Sequence, residues 1–249
     1  MKIISLNTWG GIAGTEGLLE FFKTHSDTDI FCLQEVFNGG ADDEYEKLQK
    51  KENKEYELFN LIQKALPNHT GFFYPHFKDF YGLAMFIKNG VQVLEEGEHF
   101  VHKHKGFIPT ENIGFHGRNI QYIKTIIEGK ELYVINFHGL WNGQGKSDTE
   151  DRLEQSRNII NFTNALSADY VLCGDFNLLP DTKSLMMIEE SGLRNLVGEY
   201  GITSTRTSHY TKPIRLADYA FVTGGLAVKD FKVLPDEVSD HSPLYLEIE

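Results

Sequence analysis

Cysteine is scarce. Cys32 and Cys173 are the only two in 249 residues, and both lie inside apolar runs. That excludes a disulfide scaffold and points to a reduced interior pair in a reducing compartment. No apolar run approaches the roughly 18–20 residues that span a bilayer. Met1–Leu6 lacks the basic start and long apolar stretch of a signal peptide, so a cytoplasmic location is expected. Positive charge is also short: 24 Lys and Arg stand against 36 Asp and Glu, a formal net charge of −12. Such a surface repels polyanions and disfavours tight, non-specific duplex binding. A small or locally steered phosphate substrate is compatible with it, and acidic residues gathered in a cleft suit a divalent cation. Repeats, low-complexity tracts and linkers are missing, so residues 1–249 are expected to form one domain. The composition, 41% hydrophobic and 24% charged, excludes a disordered or collagen-like chain.

Strands outnumber helices along the chain. Lys2–Asn7, Asp29–Leu33, Thr70–Tyr74, Tyr81–Ile87, Val91–Phe100, Asn119–Ile127, Glu131–Phe137, Tyr170–Cys173, Ala217–Val222, Val228–Val233 and Leu244–Ile248 read as strands. Helices are expected over Thr15–His25, Thr149–Leu166 and Asp181–Ser191. A long exposed one is expected over Asp42–Leu66, ended by Pro67. The inner face of Thr149–Leu166 is expected from Leu153, Ile159, Ile160, Phe162 and Leu166. Gly139–Ser147 and Val101–Gly117 read as loops. Hairpins with a few helical crossovers imply packed β-sheets covered by helices.

Four of the apolar strands deliver polar groups at their C-terminal ends. They stop at Asn7, at Gln34-Glu35, at His138, and at Gly174-Asp175-Phe176-Asn177. A single polar strand end is ordinary. Four of them, together with Ser239-Asp240-His241-Ser242-Pro243 near the C-terminus, imply a polar cleft at one rim of a sheet. Asp218 stands inside an apolar stretch, where a lone buried carboxylate is costly; a histidine is an available partner.

These segments, Leu6-Asn7-Thr8-Trp9, Leu33-Gln34-Glu35-Val36, Phe137-His138, Gly174-Asp175-Phe176-Asn177, Asp218-Tyr219 and Ser239-Asp240-His241-Ser242-Pro243, resemble the endonuclease/exonuclease/phosphatase superfamily. They occur in that family's order over nearly the whole chain. The resemblance implies a four-layer α/β sandwich, with two packed, mainly antiparallel β-sheets flanked by helices. It also implies a metal-dependent phosphoesterase. Glu35 would be the principal ligand of a divalent cation, with Asn7 and Asp240 as further ligands, direct or through water. Asp175 would orient or deprotonate the attacking water. Asn177 would hold that water or a phosphate oxygen. His241 would stabilise the pentacovalent phosphorus, with Asp218 orienting it. His138 would touch a phosphate oxygen, and Arg118 matches a less strictly patterned basic position that binds substrate.

The chemistry suits these residue types. Phosphoester hydrolysis gathers negative charge on oxygens, and all-oxygen ligation favours Mg²⁺ or Mn²⁺ over Zn²⁺. Zinc spacing, a P-loop and a GxSxG elbow are absent. The stretch His99–Arg118 is basic within an acidic protein; a phosphate-gripping lid and a solvated loop are both open readings. Trp9, Trp141 and Phe107 are placed beside the cleft, to stack on a ligand or pack under a loop. The expected partner is a phosphoester, nucleic acid among the candidates, with no membrane anchor and no obligate protein partner, on a monomer. The rival reading is a catalytically silent scaffold of the same fold that binds a partner.

Overall fold

The computed structural model describes residues 1–40, 54–110, 112–213 and 215–249. The strands in them form two six-stranded sheets. The first runs β11 (Val228–Val233), β12 (Leu244–Ile248), β1 (Lys2–Asn7), β2 (Ile30–Phe37), β4 (Tyr81–Lys88), β3 (His69–Phe77). The second runs β5 (Val93–His102), β6 (Arg118–Ile127), β7 (Lys130–His138), β8 (Asp169–Asp175), β10 (Asp218–Thr223), β9 (Leu193–Asn195). Among the described strands only β1–β2 and β7–β8 pair in parallel; each of these connections carries a helix, as a parallel crossover requires.

The two-residue period of a strand sorts its side chains between layers. Ile3, Ile30, Cys32, Met85 and Ile87 enter the core shared with the second sheet. Their neighbours Ile4, Phe31, Leu33, Ala84 and Phe86 face the other way. There they meet α1 (Thr15–Thr24) and α2 (Leu58–Ala65) through Leu18, Phe22, Leu58 and Ile62. On the second sheet lie α3 (Glu150–Thr163), α4 (Lys183–Glu190) and the short α5 (Leu196–Glu199). The result is the four-layer α/β sandwich. Cys32 and Cys173 are free, buried thiols. No helix among the described residues is long and apolar enough to cross a membrane.

Three expectations change. Of the expected helix Asp42–Leu66, residues 42–53 lie outside the described residues; within 54–66, Leu58–Ala65 is helical. The apolar stripe starts only at Leu58 and repeats at Ile62 and Leu66, all fully buried. Before it, the Glu55 N–H turns back to the Gly10 carbonyl at 2.8 Å. Val101–Gly117 is not all loop, because β5 extends to His102, pairing with Arg118 across a bulge. The inner face of α3 is mostly polar: Arg152, Gln155, Ser156, Ile159 and Thr163 are buried, while Leu153, Ile160 and Phe162 are half-buried. The expected Ile159, Ile160, Phe162 and Leu166 do pack toward the core of the second sheet, while Arg152 and Gln155 bind the backbone of the loop 140–147. Gln155 accepts the Leu140 N–H at 3.0 Å, and the Arg152 guanidinium donates to the carbonyls of Leu140, Gly145 and Ser147.

A polar seam between the sheets sets the site's register. Asn136 of β7 accepts from the Gln34 amide at 2.7 Å and donates to the Leu33 carbonyl at 2.9 Å. It thereby ties β2, one residue before Glu35, to β7, two residues before His138. Buried amides of this kind are costly unless paired, so they favour one alignment of the two sheets.

Candidate active site

Strand register brings the predicted residues to one rim. Asp218, Asp175 and His138 stand opposite one another across β10, β8 and β7, and Asn7 pairs with Gln34 across β1 and β2. Two glycines permit the close approach. A Cβ on Gly174 would lie 1.9 Å from the Phe137 carbonyl oxygen, and one on Gly139 would lie 2.1 Å from that of Phe176. Glu35 sits in a bulge of β2 with φ +56°, and Asn177 has φ +54°, both left-handed. Non-glycine residues in that region cost about 1–3 kcal/mol and persist where their surroundings over-determine them. Here the Thr8 hydroxyl bonds the carbonyls of Gln34 and Glu35, each at 3.0 Å.

The side chains form one network. The Asn7 amide donates to Glu35 at 3.1 Å and to Asp175 at 3.0 Å, while its oxygen accepts the Trp9 N–H. Asp175 accepts the Asn177 N–H at 2.8 Å; the Asn177 side-chain amide donates to the Gly139 carbonyl. His241 Nδ1 lies 2.7 Å from Asp218 Oδ1, and the Thr205 hydroxyl donates to Asp218 Oδ2 at 2.7 Å. His241 Nε2 is 3.5 Å from Asp175 and 3.7 Å from Asp240. His138 Nε2 stands 3.8 Å from Glu35 and 3.9 Å from Asp175, and its Nδ1 is 3.3 Å from the Arg118 guanidinium. All nine predicted residues are therefore brought together.

Burial sets the protonation states. It lifts Glu35 to about 7, with the Asp240 and Asp175 charges adding to the rise. It lifts Asp218 to about 6 and draws His241 down to about 4, helped there by Arg206. Burial and the Arg118 charge push His138 well below the usual histidine value. Near neutrality both histidines are neutral in the free site, and the Asp218 carboxylate holds the His241 proton on Nδ1.

The donor set fits a hard cation. Asp240 Oδ1 is buried with no hydrogen-bond partner among the described residues, while its other oxygen takes the Arg206 guanidinium at 2.9 Å. Glu35 has the most accessible of the site's carboxylates, 27% exposed. Asn7 would need to turn its amide, or act through water, to present its oxygen. Asp175, Asp218 and His241 also place ligand-type atoms within 4.8 Å of one another, with His241 Nδ1 already 2.7 Å from Asp218 Oδ1.

The site floors a cleft of about 400 Å³. Its walls include residues the sequence reading missed: Lys146, Arg206, Tyr210 and Lys212. They sit in loops without periodicity, and no spacing signal marks them. Trp9 and Trp141 line the cleft, as do His116 and Arg118. Phe107 does not; it packs against His104. Lys105 is paired with Glu98 at 2.6 Å and Lys103 with Asp151 at 3.9 Å, neither on the cleft wall, and His99 stacks on Phe162. The basic stretch thus contributes its last residues to the cleft rather than a lysine lid.

A sequence profile of the Endonuclease/Exonuclease/phosphatase family matches residues 4–241. No protein of curated function matches the chain in sequence. Its architecture is similar to that of a mannosyl-6-phosphatase from Bacteroides thetaiotaomicron VPI-5482, with TM-score 0.75 and 18% identity over 100% of this chain and 99% of that one. An endonuclease/exonuclease/phosphatase family protein from Leptotrichia buccalis C-1013-b aligns with TM-score 0.72 and 22% identity, covering 100% and 99%. D. rerio TDP2, complexed with a single-strand DNA product, aligns with TM-score 0.70 and 16% identity, covering 100% and 98%.

Proposed function

This chain belongs to the endonuclease/exonuclease/phosphatase family, and on that premise we propose that it is a divalent-metal-dependent phosphoesterase acting by activated-water attack. The observation that carries this reading is the buried Asp218–His241–Asp175 arrangement, with His138 and Glu35 at the same rim.

Glu35, Asp240 and Asn7 would hold Mg²⁺ or Mn²⁺, which when bound offsets charge on the phosphoryl and leaving oxygens. The remaining work falls to the protein's own groups. Asp175, fixed by the Asn7 amide and the Asn177 N–H, accepts a proton from the attacking water. The Asn177 side chain holds that water or a phosphoryl oxygen. His241 is neutral in the free site, its Nδ1–H bonded to Asp218. An anionic phosphoryl group beside Nε2 favours the imidazolium, which then donates to the oxygen where charge develops. His138 and Arg118 contact a second phosphoryl oxygen, and the buried Arg118 guanidinium already touches the imidazole.

A small phosphoester is the substrate we favour over bulk duplex nucleic acid. The cleft volume of about 400 Å³ matches a sugar- or nucleotide-sized ligand, and a net charge of −12 opposes a long polyanion. The structural likeness to a mannosyl-6-phosphatase points the same way, while the likeness to TDP2 keeps single-strand DNA on the test panel. The test is hydrolysis of p-nitrophenyl phosphate, bis-p-nitrophenyl phosphate, sugar phosphates, inositol phosphates, sphingomyelin, single-stranded and plasmid DNA, and RNA. Each is assayed with Mg²⁺, Mn²⁺ or EDTA. Metal-dependent turnover is expected, fastest on a small ester. Turnover that survives exhaustive chelation contradicts the metal assignment, and silence on every substrate favours a non-catalytic binding protein.

A further inference from the structure

Lys146 stands in the loop between β7 and α3 and lines the cleft, yet it is only 4% exposed. A buried ammonium carries three N–H donors and is costly unless they are met. Its one hydrogen bond among the described residues goes to the Leu216 carbonyl at 3.3 Å, a long contact. It makes no ion pair among them, although Asp175, Asp218 and Asp240 lie near enough to favour its charge. The Tyr210 ring sits 5.6 Å from its nitrogen. Burial lowers it to about 8, so it is still mainly an ammonium at neutral pH.

The backbone around this lysine is fixed to an unusual degree. The fully buried Arg152 guanidinium takes the carbonyls on both sides of it, Gly145 at 2.7 Å and Ser147 at 2.5 Å. The Lys146 carbonyl itself accepts the Leu179 N–H at 3.0 Å. An arginine buried to hold one loop turn is what preorganising a charged group requires.

We propose that Lys146 is a further catalytic residue, whose ammonium binds a non-bridging oxygen of the substrate phosphoryl group, with Arg152 as the residue that positions it. The inference rests on the phosphoesterase reading. A buried cation gains most where charge accumulates, so its removal acts on kcat more than on KM.

Lys146→Met removes the charge and keeps an apolar stem; Lys146→Gln also keeps a donor for the Leu216 carbonyl and replaces it if the first variant does not fold. We would measure kcat and KM on the best substrate of the panel with Mg²⁺, and the Kd of inorganic phosphate by calorimetry. The expected result is a fall in kcat of about 50-fold or more, a KM change below about fivefold, and phosphate binding weakened about tenfold. Loss of either kcat or phosphate affinity on this scale supports the inference. Both within threefold of wild type, in a protein that hydrolyses the substrate, would overturn it while leaving the phosphoesterase reading intact. A wild type without turnover that still binds phosphate through Lys146 removes the reading and keeps the contact. A wild type that neither turns over nor binds phosphate removes both.

Discussion

Replacing Asp218 with Asn probes the relay with little change in shape. The carboxylate has two partners: the Thr205 hydroxyl donates to Oδ2 and the His241 imidazole to Oδ1, both at 2.7 Å. Thr205 is itself fixed, because its hydroxyl oxygen accepts the Ala217 and Asp218 N–H groups at 3.3 Å. Its proton therefore points at residue 218, and the Asn oxygen must receive it. The Asn amide nitrogen then faces His241 Nδ1, which can accept but no longer donate. The imidazole proton moves to Nε2, and the carboxylate that stabilised an imidazolium is gone. A hydrogen bond to a charged group is worth about 1.5–3 kcal/mol. Fully expressed in the transition state, that is a loss of about 10- to 150-fold in kcat/KM, at about 1.4 kcal/mol per tenfold. The fold should not suffer, since burial already holds Asp218 up to about 6 and a neutral amide removes that desolvation cost. The assay is kcat/KM with Mg²⁺ at pH 7.5, beside a thermal melt. Activity within threefold of wild type refutes the relay. A loss accompanied by a collapse of Tm refutes the assignment of the effect to tautomer and charge.

Three further outcomes follow from the same geometry. Glu35 must lose a proton near pH 7 to act as a ligand, so the rise in Tm on adding Mg²⁺ should be larger at pH 8 than at pH 5.5. It should vanish in Glu35→Gln; an equal rise at both pH values contradicts this. His76, His116 and His138 are buried with their pKa values pushed well down, so the unfolded chain takes up protons below about pH 6.5 that the fold refuses. Stability is then present above that pH and falls as pH drops. His76→Phe should flatten the Tm decline between pH 6.5 and 5, because burial and the Arg118 charge make a neutral ring the favoured form at His76; an unchanged slope counts against it. Lys103→Ala with Lys105→Ala should leave KM within twofold, since their ion pairs lie off the cleft; a several-fold increase restores the lid.

What was legible in the sequence follows a physical division. Strand ends such as Asn7, His138 and Asp175 are readable because a strand's apolar run stops where the cleft begins, and register then fixes which residues meet. Asp218 was readable as a carboxylate in an apolar stretch in need of a partner, and His241 is that partner. Lys146, Arg206, Tyr210 and Lys212 were not readable. Loop side chains reach the cleft through tertiary contacts, such as the Arg152 clamp, that leave no period in the sequence. On α3 the apolar stripe is legible and Ile159, Ile160, Phe162 and Leu166 pack toward the core, whereas the Arg152 and Gln155 contacts with loop backbone leave no period in the sequence.

The most direct measurement of the central claim is a single-turnover rate on the best phosphoester, for wild type and Asp175→Asn, with Mg²⁺ and with EDTA. Asp175 accepts the amide N–H groups of Asn7 and Asn177 and stands 3.5 Å from His241, so an Asn there keeps the shape and loses the base. Wild type should cleave rapidly and only with Mg²⁺. The variant, with an unchanged Tm, should cleave at a rate at least about 100-fold lower. A variant within tenfold of wild type, or a wild-type rate indifferent to EDTA, would contradict this mechanism.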